Sequence, residues 1–178
     1  MYKIPRSILF SLPDFIDSRG SLSLIRCSTI LQGKKNVPNF FHKTPDQIFI
    51  SKTKPWHGRG LHYQMKNPLL QTVTVISGEI EECLVEKIET TKGIGFKTYK
   101  DKITSHDEFN SFVIPKGWAH GFFTKDAAAT ILYQIWGLRS IEDEHGFNLR
   151  DSRFGFLDKI ERSKIKLNDR DNAYKLLD

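Results

Sequence analysis

The chain has little of what stapled secreted folds or membrane proteins depend on. Its 178 residues include only two cysteines, Cys27 and Cys83. Two thiols cannot build a disulfide framework, so both read as free and point to a reducing compartment, the cytoplasm. Long apolar runs are missing as well. The first twenty residues, "MYKIPRSILFSLPDFIDSRG", hold one short apolar stretch broken by Pro13 and Asp14, too brief for a membrane span and without a clear cleavage site. Repeats, low-complexity tracts and an obvious linker are also lacking. One domain over residues 1–178 is therefore expected, with an N-terminal arm to about residue 20 and a helical appendage over about 157–178. Nor is charge concentrated. Lys and Arg outnumber Asp and Glu by 27 to 21, for a net +6, yet both signs are interleaved except for a modest cluster in "DKIERSKIKLNDRD". That excess suits an anionic ligand but does not make a nucleic-acid footprint.

What the chain does have is material for a core: 39% hydrophobic residues, 12% aromatic, with 13 Phe. Short segments rich in β-branched and aromatic residues recur between Gly, Pro, Asn and Asp: "SLSLIRC", "QIFIS", "QTVTVIS", "IEECLVEKI", "GFKTY", "SFVIP" and "TILYQIW". Such spacing predicts an all-β sandwich or barrel. "SGE" at Ser77 to Glu79 reads as a tight hairpin in which Gly78 takes positive φ. Helical periodicity is weak until Leu157, Ile160, Lys164 and Ile165, which predict one short helix.

Six histidines are present, and two sit in distinctive settings. His62 lies in "RGLHYQ". His120 lies in "IPKGWAHGFF", whose P-x-G-x-x-H pattern resembles the second half of the cupin signature, and this implies a jelly-roll barrel with the histidine pointing inward. Many cupins hold a divalent ion with three His and one Glu. The usual first motif has two histidines two residues apart with a Glu soon after. Here Gln64 fills the second place and the next carboxylate is Glu79. The pattern therefore argues against a metal and leaves the imidazoles free for proton transfer near neutral pH.

Six blocks in order, "DSRG", "RGLHYQ", "IPKGWAHGF", "ILY", "EHGFNLRDSRFGF" and "IKLNDRD", resemble the dTDP-4-dehydrorhamnose 3,5-epimerases, cofactor-free and metal-free cupin-type enzymes. The resemblance implies a cupin-type β-jelly-roll and a homodimer in which N-terminal residues reach the partner's site. It also implies a nucleoside-diphosphate sugar as substrate, with no nucleic acid or membrane partner. The implied reaction removes a proton next to a C4 ketone and returns one to the opposite face. Carried over by position, His62 would be the base, Asp171 its orienting carboxylate and Tyr133 the opposing acid. Should Asp171 face solvent, Asp169 or Glu82 would have to serve. Arg19 and Arg59 would address the sugar and diphosphate, Gln47 the nucleotide, and His120 the enolate or a hydroxyl. No role is implied for His57.

The departures fall mainly around the substrate. Gln71 stands where the family has a lysine that would bear charge developing on the C4 oxygen, and Glu82 stands where it has an aspartate. Leu138 and Arg139 replace paired tyrosines, and Phe49 replaces an asparagine. These changes imply a shifted substrate: a different nucleotide or 4-keto-6-deoxy sugar, with C3, C5 or both inverted. Alternatives are a ketoisomerase using the same enolate, a non-catalytic sugar-nucleotide-binding cupin and, last, a metal-dependent oxygenase.

Overall fold

The structure, a computed structural model, describes residues 1–10, 14–18, 20–23, 43–91 and 93–176. Twelve strands are described: β1 (Leu9–Phe10), β2 (Asp14–Asp17), β3 (Gly20–Ser23), β4 (Gln47–Thr53), β5 (Gly58–Gln64), β6 (Leu70–Ser77), β7 (Glu79–Thr90), β8 (Gly93–Thr104), β9 (Ser111–Ile114), β10 (Ala119–Phe123), β11 (Ala129–Trp136) and β12 (Glu144–Gly146). Two short helices follow, α1 (Lys159–Lys164) and α2 (Asp169–Ala173). Five strands form one antiparallel sheet in the order β1-β9-β6-β11-β4, and five form a second in the order β12-β5-β10-β7-β8. A separate ribbon pairs β2 with β3. This is the jelly-roll architecture expected from the sequence.

Alternation along the strands makes the core. Val73, Val75, Phe112, Ile114 and Ile131 of the first sheet meet Ile80, Leu84, Tyr99, Ile103 and Phe122 of the second. The opposite face of the second sheet is apolar too. Leu61, Cys83, Val85, Ala119 and Phe123 lie there, covered by Phe147, Leu149, Phe154, Phe156, Leu157 and Ile165. A sheet covered on both faces cannot show a clean apolar–polar alternation, which explains why every residue of β10 is buried. Removing one large buried side chain from such a layer, for example by Phe156→Ala, costs about 3–5 kcal/mol.

The expected hairpin at Ser77–Glu79 does not form. β6 is already flanked by β9 and β11 and has no free edge, so the chain leaves its sheet at Gly78 and enters the other one as β7. Gly78 does take positive φ, 78°. An added Cβ there would lie 2.2 Å from the Ala128 carbonyl oxygen, so the corner demands glycine. The helix expected around Ile160 is α1, held by a capping box between Asp158 and Glu161. Its flanks Leu157 and Ile165 are buried while Ile160 is exposed.

Two strands outside the β-branched runs, β5 and β10, lie side by side and position the site; β10 is the strand that the cupin-like pattern around His120 implies. His62 stands opposite His120, with a register shift between His120 and Phe122. A Cβ at Gly121 would meet the Arg59 carbonyl oxygen at 2.4 Å, so the close passage of these strands requires a residue without a side chain.

Candidate active site

Between the sheets lies a cavity of about 330 Å³, lined among others by Arg59, His62, Gln64, Gln71, His120, Tyr133, Arg139, Glu144, Arg170 and Asp171. Strand pairing delivers the two histidines to one wall, and β11 brings Tyr133 from the facing sheet. The His120 and Tyr133 ring centroids are 6.0 Å apart. Asp171 arrives from the C-terminal part of the chain. Asn168 caps α2 by accepting the Asp171 N–H at 2.7 Å, and this first turn aims the carboxylate back at β5.

Asp171 Oδ1 lies 2.7 Å from His62 Nε2, and its Oδ2 accepts the Gly60 N–H at 3.0 Å. Burial pushes this carboxyl upward. The His62 hydrogen bond and charge, the Gly60 N–H and Arg170 outweigh that effect and hold it below the usual carboxylate range. An ionised Asp171 only accepts, so Nε2 carries the proton of their hydrogen bond and Nδ1 is the basic nitrogen. Arg170 Nη2 also lies 3.1 Å from Nε2. With Nε2 already donating to Asp171, this is an approach of two donors.

Tyr133 is nine-tenths buried, and burial together with the nearby Glu82 raises its phenol above the ordinary value. It is therefore a proton-bearing group at neutral pH. Burial, with the charges of His62 and Arg139, pushes His120 down to about 3, so its imidazole is neutral. Glu82 does not line the cavity. It lies fully buried behind His120 with Oε1 3.7 Å from Nδ1, and burial raises its carboxyl well above the usual range. The separation is within ion-pair reach, but burial favours the uncharged form of both groups, so we read the pair as neutral.

Among the remaining residues singled out in the sequence, Arg59 lines the cavity and is tethered by its Nε–H to Thr53 Oγ1 at 3.0 Å. Gln71 also lines it. Gln47 is turned instead to the loop after β11, where its amide oxygen accepts the Arg139 N–H at 2.9 Å. His57 forms a bridge with Lys166 away from the cavity. Arg19 lies outside the described residues.

Several cavity residues carry no substrate or catalytic role in the sequence, among them Gln64, Arg139, Glu144 and Arg170. Glu144, its side chain 3% exposed, is held between the guanidinium groups of Arg139 and Arg170. The signal was available for Arg170, which is next to Asp171, but nothing in the sequence joins residues 139, 144 and 170. Gln64 proves to be a clamp. Its amide donates to the Ser140 carbonyl at 2.9 Å and accepts the Ser140 N–H at 3.0 Å. Both hydrogen-bonding ends are thereby committed to backbone, and Gln64 fixes the loop that carries Arg139. Among the described residues, no group of three or more His, Cys, Asp or Glu is arranged to hold a metal ion.

A family model described as dTDP-4-dehydrorhamnose 3,5-epimerase matches residues 1–178. The chain is 30% identical over 97 residues to the dTDP-4-dehydrorhamnose 3,5-epimerases of Neisseria gonorrhoeae and Methanothermobacter thermautotrophicus. Each match covers 54% of this chain, but only 29% of the first relative and 51% of the second; the matched stretch thus spans about half or less of their length. Among solved structures, a 3'-monoepimerase from Streptomyces bikiniensis, in complex with dTDP-quinovose, superposes with a TM-score of 0.69 at 20% identity, covering 99% of this chain and 87% of that one.

Proposed function

Because the chain belongs to the dTDP-4-dehydrorhamnose 3,5-epimerase family, we propose that it epimerises a nucleoside-diphosphate 4-keto-6-deoxy sugar. The single observation that carries this reading is the His62–Asp171 pair at 2.7 Å in a cavity whose facing sheet supplies the protonated Tyr133. A carbon acid beside a ketone needs a base, an acid on the other face and a stabiliser for the enolate oxygen. His62 Nδ1 takes the proton, and the ionised Asp171 stabilises the resulting imidazolium and fixes its tautomer. Tyr133 returns a proton to the opposite face. His120 and Arg59 address the C4 oxygen, because Gln71 brings no charge to it. Arg59, Arg139 and Arg170, together with Lys52, line the cavity and offer cations to the diphosphate. Leu138, exposed beside Arg139, offers no ring for a base to stack on, which favours a nucleotide other than thymidine.

The proposal includes a homodimer in which N-terminal residues contribute to the partner's site, and a cytoplasmic setting. No described helix is long and apolar enough to cross a membrane. The test follows proton exchange at C3 and C5 of candidate 4-keto sugar nucleotides in deuterated water by NMR. Exchange with inversion supports the reading, and its position tells whether one or both centres turn over. Exchange undiminished in His62→Asn would overturn the base, and no exchange with any candidate would leave a sugar-nucleotide-binding protein. A ketone found at C3 in the product would instead mark a ketoisomerase.

A further inference from the structure

Glu82 is a fully buried ionisable group beside the site for which the reaction above gives no task. It is 0% exposed on the inner face of β7, beside the core residues Ile80 and Leu84. Neither of its carboxyl oxygens has a hydrogen-bond partner, and neither does Nδ1 of His120. These orphaned atoms face one another at 3.7 Å. Among the described residues no Lys or Arg forms an ion pair with Glu82; Arg59 lies two strands away in the same row, beyond Phe122, Gln71 is neutral, and Tyr133 is a phenol. Asp101, opposite Glu82 on β8, is a second carboxylate already taken up by Lys3 at 2.6 Å. Among the described residues, His120 is the only basic group within ion-pair distance of Glu82.

Taking the epimerase reading as given, we propose that Glu82 is a positioning residue that carries a proton and offers its O–H to His120 Nδ1, holding the imidazole as the Nε2–H tautomer that donates to the C4 oxygen. Two buried atoms with complementary needs are satisfied at once, since Nδ1 of that tautomer accepts only and a protonated carboxyl donates. Burial favours both neutral forms. A distance of 3.7 Å is too long for a hydrogen bond, but such contacts in unliganded sites commonly shorten when the site fills. His120 lines the cavity, and with Nδ1 turned to Glu82 its other nitrogen is the one left for substrate. The enolate oxygen would then be met by a fixed neutral donor rather than a cation.

The experiment has two arms. Nitrogen-15 NMR of His120, assigned with His120→Asn, reads the tautomer of the wild-type protein without substrate. A neutral ring protonated on Nε2 is expected from pH 6 to 8, and a neutral ring protonated on Nδ1, or an imidazolium at pH 7, overturns the proposal. The second arm compares Glu82→Gln, which keeps an N–H donor, with Glu82→Leu, which has none. Removing one donor that supports an oxyanion costs on the order of 10²-fold in kcat. Leu should lose about that much with KM within threefold, and Gln should restore most of it, while both keep the thermal transition of a folded protein. Equal loss in Gln and Leu, or no loss in Leu, overturns the proposal. Should the wild type exchange no proton of any substrate, the epimerase reading fails, and the tautomer still decides for or against the state assigned to Glu82.

Discussion

Individual residues divide the work of the cavity by their protonation. Tyr133→Phe leaves the base in place and removes the acid opposite. Deuterium should still enter the substrate at the carbon next to the ketone, while inversion falls at least about 10²-fold; NMR of recovered substrate and product checks this. Asp171 makes a second case. Its folded carboxyl is held low, so its stabilising contribution is full above the unfolded value of about 3.9 and is lost as pH falls through the folded one. The stability gap between wild type and Asp171→Asn should therefore be widest above about pH 4 and close toward more acid pH, as read from urea unfolding at each pH. At this scale the sequence was only partly legible. "RGLHYQ" drew attention to His62 through its histidine and arginine, but residues 62 and 171 are 109 positions apart, and only the family resemblance joined them. Nothing local in "ECLVEKI" tells that Glu82 ends up buried against the back of His120, because that contact depends on the pairing of β7 with β10.

At the scale of elements, strands announce themselves by alternation more faithfully than sheets do. β6, β9 and β11 fall close to where their β-branched runs predict them, while β5 has no such run and β10 is implied only by the cupin-like pattern around His120. Sheet membership was not legible at Gly78: a tight turn says that the chain reverses or bends, and not which neighbour it pairs with next. α2 escaped an apolar-period search because it has no apolar stripe. Its signal was a cap, Asn168 followed by acids at the first and third helical positions. This cap has a functional cost when removed. Asn168→Ala should lower stability by about 1 kcal/mol and lower kcat more than KM, since Asp171 is the residue whose N–H the cap accepts. Urea unfolding and steady-state kinetics on the same preparation check both parts.

For the molecule as a whole, the dispersed net charge of +6 resolves locally into three cavity arginines, 59, 139 and 170. If these meet a diphosphate, raising salt from 0.05 to 0.5 M should increase KM several-fold with little change in kcat, because screening weakens capture and not the buried proton transfers. A salt-independent KM would remove the diphosphate from this rim. The fold class was legible over the whole chain because jelly-roll strands are short and frequent. The helical appendage after Phe156 was expected to close over the barrel, and Leu157 and Ile165 do cover the second sheet. The part played by Phe147, Leu149 and Phe154 was not legible, because apolar residues in irregular segments carry no period.

The route by which Asp171 reaches His62 also sets an order in time. At ribosomal rates of about 5–20 residues per second, the 109 positions that separate the two mean that the carboxylate is made some 5–20 s after the histidine. No nascent chain ending before residue 171 can hold the pair, however well its barrel has formed. Proton chemistry is thus withheld until almost the last of the described residues is in place.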